Sequence, residues 1–190
     1  MILLIDLCYK KNSLSRDEFV LPIARIVRDG GREMRAEHYT DITPGDLKDA
    51  AAVILCGTAL RDNHFLRHLD QFGWMRDCDL PILGICAGMQ VIAHIFGGDT
   101  EENLAIGMAE VRKVKGDPLF SGIDRFAAYE LHRYAAVPPN EFTVIAVSEN
   151  CVQAIRHPER PIYGVMFHPE VRNEWVVRRF AERYGSDPAA

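Results

Sequence analysis

The sequence predicts an α/β fold in three layers: a mostly parallel central sheet, helices on both faces, and a small antiparallel sheet near one end. Three observations carry that expectation. Short, branched, apolar runs at 2–6, 52–56 and 82–85 alternate with segments of helical periodicity, the signature of parallel strands joined by helical crossovers. From about Thr100 the texture changes to short stretches rich in Val, Ile, Tyr and Phe. These are separated by Gly116-Asp117-Pro118, Ser121-Gly122 and Pro138-Pro139-Asn140, which read as antiparallel strands and their turns. Finally, 190 residues, 48% of them apolar, form no repeat, linker or low-complexity tract, so one domain spanning 1–190 is expected.

Taken in order, residues 2–6 form a compact strand. Ser15, with Glu18 three residues on, reads as the capping box of a helix over 16–28, which Gly30-Gly31 ends. A second strand covers 35–39, and Thr43-Pro44 starts a short helix through Lys48. Residues 52–56 are a buried strand that runs into Gly57-Thr58-Ala59. The spacing of Phe65, Leu66, Leu69 and Phe72 predicts an amphipathic helix over 63–75. After the strand at 82–85, residues 89–96 read as a largely apolar helix capped by Gly97-Gly98. In the second half, strands are expected at 142–147, 152–155 and 162–167, and a last helix at 173–184 packs back on the sheet.

Composition excludes several classes of function. The formal charge is −5 and the basic residues are scattered, which leaves no stripe for nucleic acid. No apolar run reaches membrane-spanning length, and the first twelve residues lack a basic leader and carry Asp6 inside the apolar run. Cys8, Cys56, Cys78, Cys86 and Cys151 are widely spaced with no CxxC pair. A reducing, cytoplasmic setting without a metal or other cofactor is therefore expected.

The chemistry concentrates in PILGICAGMQVIAHIFGG, residues 81–98. Gly84, Cys86 and Gly88 bracket a strand-to-helix turn in the manner of a nucleophile elbow, in which flanking glycines let the chain turn tightly and leave the nucleophile projecting above the sheet. The thiol then sits at a helix N-terminus, whose partial charge favours thiolate, and the Ala87 amide faces the atoms under attack. Such a thiolate needs a base, and the base needs an orienting partner. His168 and Glu170, separated by Pro169 in an extended tripeptide, supply both. Both motifs follow apolar strands, and in a parallel sheet such ends share one edge.

GICAGMQ followed by FGG, together with YGVMFHPEV near the C-terminus, closely resembles the two signatures of class I glutamine amidotransferases, which release ammonia from glutamine with a Cys-His-Glu triad. The resemblance implies a flavodoxin-like sheet, Cys86 as the nucleophile that forms a glutamyl thioester, His168 as general base and acid, and Glu170 as its partner. It further implies Gln90 as a substrate contact and an oxyanion hole built from the Ala87 amide and an amide of Gly57 or Thr58. A chain of this length has no room for a synthetase domain, so an ammonia-accepting synthetase subunit is implied as partner, with glutamine or a related small amide as substrate. Length and the segment 137–170 look most like the glutaminase subunit of two-subunit GMP synthases.

The chain departs from that pattern at three places. Cys56-Gly57-Thr58-Ala59 replaces Ser-Gly-Gly-Pro, and a β-branched Thr58 resists positive φ. Leu131-His132-Arg133-Tyr134 replaces Ser-His-Gly-Asp, and Met166 stands where glutamine is usual. Two readings stay open for His132, substrate contact or strand cap, and Leu131 and Met166 read as core positions. His64 and His68, spaced like metal ligands but lacking a third, read as a solvated helix face. Two alternatives accompany the glutaminase reading: hydrolysis of a γ-glutamyl or other small amide on the same triad, and a catalytically idle regulatory or binding homologue.

Overall fold

The computed structural model describes residues 1–186. Nine strands form one sheet: β1 (Ile2–Asp6), β2 (Met34–His38), β3 (Ala52–Leu55), β4 (Ile82–Ile85), β5 (Asp99–Lys113), β6 (Arg125–Val137), β7 (Thr143–Val147), β8 (Val152–Arg156) and β9 (Ile162–Val165). Their order is β2-β1-β3-β4-β9-β8-β7-β5-β6. The first five are parallel, and every pairing from β9 to β6 is antiparallel. The antiparallel strands thus continue the main sheet instead of forming a separate one.

Burial follows from position in that order. Strands β1, β3, β4 and β9 are buried at every residue, as expected of parallel strands covered on both faces, whereas the edge strand β2 is half-buried. Helices α2 (Leu21–Asp29) and α5 (Trp175–Tyr184) pack against each other. Helix α4 (Ala87–Ile95) packs separately, on β3, β4 and β9 and on a helical segment at His64–Arg76.

Several element boundaries differ from the sequence expectation for identifiable reasons. The helix foreseen over 16–28 is two: α1 (Leu14–Phe19) and α2, divided at Val20 just ahead of Pro22. Proline lacks the amide a continuous helix would use there. Ser13, not Ser15, occupies the N-cap, and its side chain makes no capping bond. By contrast, Thr43 and Asp46 form a complete capping box on α3 (Pro44–Lys48). The segment expected as an amphipathic α-helix at 63–75 is a tighter 3₁₀ helix broken by non-helical angles at His68, consistent with the poorer hydrogen bonding of long 3₁₀ runs. The first strands after Thr100 are not short: β5 and β6 form a hairpin of 15 and 13 residues with a register shift between Glu102 and Ala105.

Candidate active site

Cys86 follows β4 directly and is the N-cap of α4, with φ 49° and ψ −101°. Among the described residues, only Asn12 and Cys86 are non-glycine positions with positive φ, and such strain persists where surroundings over-determine it. Those surroundings are the two glycines. A Cβ on Gly84 would lie 2.5 Å from the backbone of Gly88, and one on Gly88 would lie 2.5 Å from the carbonyl oxygen of Leu55. Strand β4, helix α4 and strand β3 therefore touch backbone to backbone at the elbow. Any side chain larger than hydrogen would push the cysteine off its position.

His168 lies just beyond β9, which pairs with β4 in parallel register, so the sheet delivers both residues to one edge. The His168 ring donates from Nδ1 to Glu170 Oε1 at 2.7 Å, and the two side chains are 1% and 2% exposed. With Nδ1 engaged, Nε2 is the ring nitrogen left buried and without a hydrogen-bond partner. Burial works against charge on His168. Glu170 and then Cys86 outweigh it and raise the imidazole well above the ordinary histidine value. Gly57 completes the packing, since a Cβ there would meet His168 Cε1 at 2.7 Å and Cys86 Cβ at 3.7 Å.

The loop after β3 supplies the remaining expected residues. Thr58 is 4% exposed and escapes positive φ. Its hydroxyl donates to Asp62 Oδ2 at 2.7 Å, which fixes the loop at the border of the site. Among the described residues, the amides of Gly57 and Thr58 donate to no backbone acceptor. Ala87 is the first residue of α4, where the amide has no intrahelical partner. Amides from these two elements are thus available beside Cys86.

Strand β6 closes the site from above. It is the outer strand of the sheet, and an edge strand leaves unpaired carbonyls. Here the site satisfies them: the His168 amide donates to Tyr129 O at 2.8 Å, the Cys86 thiol to Leu131 O at 3.6 Å, and Gln90 Nε2 to Tyr134 O at 2.7 Å. The space left around Cys86, bounded by Thr58, Ala87, Gln90 and Leu131, is about 10 Å³, room for one water at most. A cavity of about 530 Å³ lies alongside, lined by Tyr9, Ser15, Arg61 and Arg67 among others, and it shares Ala59, Asp62 and Asn63 with the closed space. Those shared residues are the wall between them.

His132 borders the closed space, yet its ring is committed elsewhere. Nδ1 donates to Asn103 O at 3.0 Å and Nε2 faces Glu130 at 3.7 Å. Met166 is fully buried. Leu131 is half-buried, and its importance lies in its carbonyl. Cys56 is sealed in the core, and burial together with Asp6 and Glu170 pushes its thiol up, so it is inert. His64 is more than a solvated residue, because its Nδ1 pairs with the Tyr39 hydroxyl at 3.0 Å. Asp62, which holds the Thr58 loop, carried no signal in the sequence beyond being one acid in a polar loop.

An elbow cysteine, a buried imidazole–carboxylate pair and parallel strands in the order β2-β1-β3-β4-β9 suit cysteine-dependent acyl transfer. The family model of class I glutamine amidotransferases matches residues 17–176, and the chain belongs to that family. Among relatives, it is 39% identical over 130 residues to the glutamine-hydrolysing GMP synthase subunit of Pyrococcus abyssi, a match spanning 63% of this chain and 65% of that one. To the corresponding subunit of Archaeoglobus fulgidus it is 35% identical over 155 residues, covering 78% and 81%. The matches to the first of these relatives thus span less than two thirds of their length. In structure it resembles a Thermoplasma acidophilum protein described as a GMP synthase subunit, with TM-score 0.84, 27% identity and coverage of 95% and 92%. A glutamine amidotransferase of Thermotoga maritima shares the fold at TM-score 0.71 and 22% identity, covering 96% and 81%. Among the described residues no helix is long and apolar enough to cross a membrane.

Proposed function

We propose that the chain is a glutaminase that hydrolyses the side-chain amide of glutamine and passes ammonia to a separate synthetase subunit, as the name of its GMP synthase relatives suggests. The observation that carries this reading is the strained Cys86 set against the His168–Glu170 pair. The Cys86 thiolate attacks the amide carbon, and amides of Ala87 and of Gly57 or Thr58 receive the oxyanion. His168, protonated by the thiol, gives that proton to the departing nitrogen, which leaves as ammonia. A γ-glutamyl thioester remains on Cys86. Water then attacks with His168 as base, glutamate departs and the thiol is restored. Glu170 keeps the imidazole oriented and supports its charged form throughout.

The closed space around Cys86 favours a second element of this reading. Glutamine does not fit into about 10 Å³, so substrate entry requires the site to open. Release of the Leu131 and Tyr134 carbonyls, or retreat of the wall at 59–63, admits substrate, and docking of the synthetase is the natural trigger. Glutamate release from glutamine is measured with the chain alone and with candidate synthetase subunits. Low activity alone and a rise on adding the synthetase supports the reading. Preference for γ-glutamyl amides over glutamine, unchanged by any synthetase, replaces it with the simple hydrolase.

A further inference from the structure

Strand β6 carries a second cluster of polar side chains that the proposed reaction does not use. Glu130 and His132 point to the same side of the strand, since residues two apart share a face, and their side chains are 3% and 1% exposed. Cys151, from the turn between β7 and β8, and Gln153, from β8, meet them there. His132 Nε2 is 3.7 Å from Glu130 Oε1, Cys151 Sγ is 3.9 Å from the same oxygen, and one donor atom from each of the three lies within 4.8 Å of the others. Gln153 Nε2 reaches Glu130, and lies 3.1 Å from both Ser148 Oγ and Cys151 Sγ.

Hydrogen bonds within the chain leave this cluster unfinished. His132 Nδ1 faces a carbonyl, that of Asn103, and must carry the ring proton. The neutral ring then aims a lone pair from Nε2 at a carboxylate, with no donor between them. A charged ring fares no better, because 3.7 Å exceeds the ~2.7–2.9 Å of a charge-assisted hydrogen bond. Gln153 Oε1 is likewise buried without a partner. An imidazole nitrogen without a partner, beside a buried carboxylate and a thiol, calls for a cation.

We propose that Glu130, His132 and Cys151, joined by Gln153 Oε1, form a binding site for a zinc-type divalent cation. Tetrahedral zinc with bonds near 2.0–2.3 Å holds its donors roughly 3.3–3.8 Å apart, close to the 3.7 and 3.9 Å that separate Glu130 Oε1 from His132 and Cys151. The histidine has the arrangement of a metal ligand, its remote N–H donating to a backbone carbonyl and its near nitrogen free. Rotation of the Gln153 terminal amide exchanges Nε2 for Oε1 and supplies the fourth donor. Coordination removes the Cys151 proton, which passes to solvent. A surface cavity of about 410 Å³ bordered by Ala105, Met108, Glu130, Ser148 and Asn150 gives the ion a way in. Bound there, the cation ties β6 to the β7–β8 turn on both sides of Leu131, the residue whose carbonyl meets the Cys86 thiol.

The test uses the full chain in a Cys86→Ala background, so that the nucleophile cannot bind metal, stripped with a chelator and then given zinc or cobalt. The site predicts one zinc per chain, an X-ray absorption shell with one sulfur and the rest nitrogen or oxygen, and a sulfur-to-cobalt charge-transfer band. Cys151→Ser should abolish that band and weaken zinc binding by about a hundredfold or more, while zinc raises the unfolding temperature of the parent only. Because Cys151→Ser could disturb the turn, Gln153→Ala is measured beside it and should keep the sulfur while loosening the metal. A zinc shell without sulfur, a shell unchanged by Cys151→Ser, or failure to retain stoichiometric zinc overturns the proposal.

Discussion

His168 Nδ1 and Glu170 Oε1 stand 2.7 Å apart with both side chains sealed from solvent. A tight turn, closed by the Val171 amide donating to His168 O, brings them together where the sequence suggested an extended tripeptide. The carboxylate fixes which ring nitrogen holds the proton and leaves Nε2 to exchange one. Glu170→Gln keeps the shape and removes the charge. It should lower kcat for glutamine by about 10²–10⁴-fold with little change in KM, as steady-state kinetics with the synthetase present will read.

The same pair makes stability depend on pH in a definite direction. The folded protein holds the His168 proton more tightly than the unfolded chain does, whose histidine value is 6.5. Below that value both states are protonated and the contribution is fully present. As pH rises through the elevated folded value, the contribution is lost. Urea unfolding should show the advantage of wild type over His168→Gln shrinking as the pH is raised above the unfolded value of 6.5. An advantage that grows over this rise would contradict the assignment of charge.

Strain at Cys86 can be isolated by removing the thiol in two ways. Alanine retains the Cβ that positive φ disfavours, and glycine does not. Both variants should lose glutaminase activity, yet Cys86→Gly should unfold at a stability about 1 kcal/mol above Cys86→Ala, despite the greater freedom of glycine in the unfolded chain. Denaturant midpoints at matched m-values measure the difference.

Two glycines near the site should fail differently. Gly88→Ala drives a Cβ into the Leu55 carbonyl, part of a rigid strand, and should cost about 2–4 kcal/mol of stability. Gly57→Ala meets the His168 ring instead. It should displace the base and lower kcat by about 10–100-fold at a smaller stability cost. Thermal unfolding and kinetics on the two variants separate the cases.

The parallel half of the fold was legible because its strands are short, branched and wholly buried, as at Ala52–Leu55 and Ile82–Ile85. Periodicity misled where it ran through a breaker, at Pro22, and where Phe65, Leu69 and Phe72 kept helical spacing across the kink at His68. The length of the β5–β6 hairpin was hidden because most of Asp99–Lys113 is exposed or half-buried, with charged and apolar residues mixed. Cys86, His168 and Glu170 were readable because each motif is local in sequence. The lid over them was not, since the groups that form it, Tyr129 O, Leu131 O and Tyr134 O, are backbone carbonyls that any residue would supply. Glu130 and Gln153, 23 residues apart, likewise meet only in the fold, on strands β6 and β8 that touch without pairing.

Whether Cys86 is the nucleophile of a glutaminase is decided by trapping its thioester. The chain is mixed with glutamine and a synthetase subunit, quenched in acid within the first turnovers and digested for mass spectrometry. A glutamyl adduct is expected on the peptide carrying Cys86, absent in Cys86→Ala, with glutamate release lost in that variant. Undiminished glutamate release by Cys86→Ala, or an adduct on another residue, would show that the nucleophile lies elsewhere.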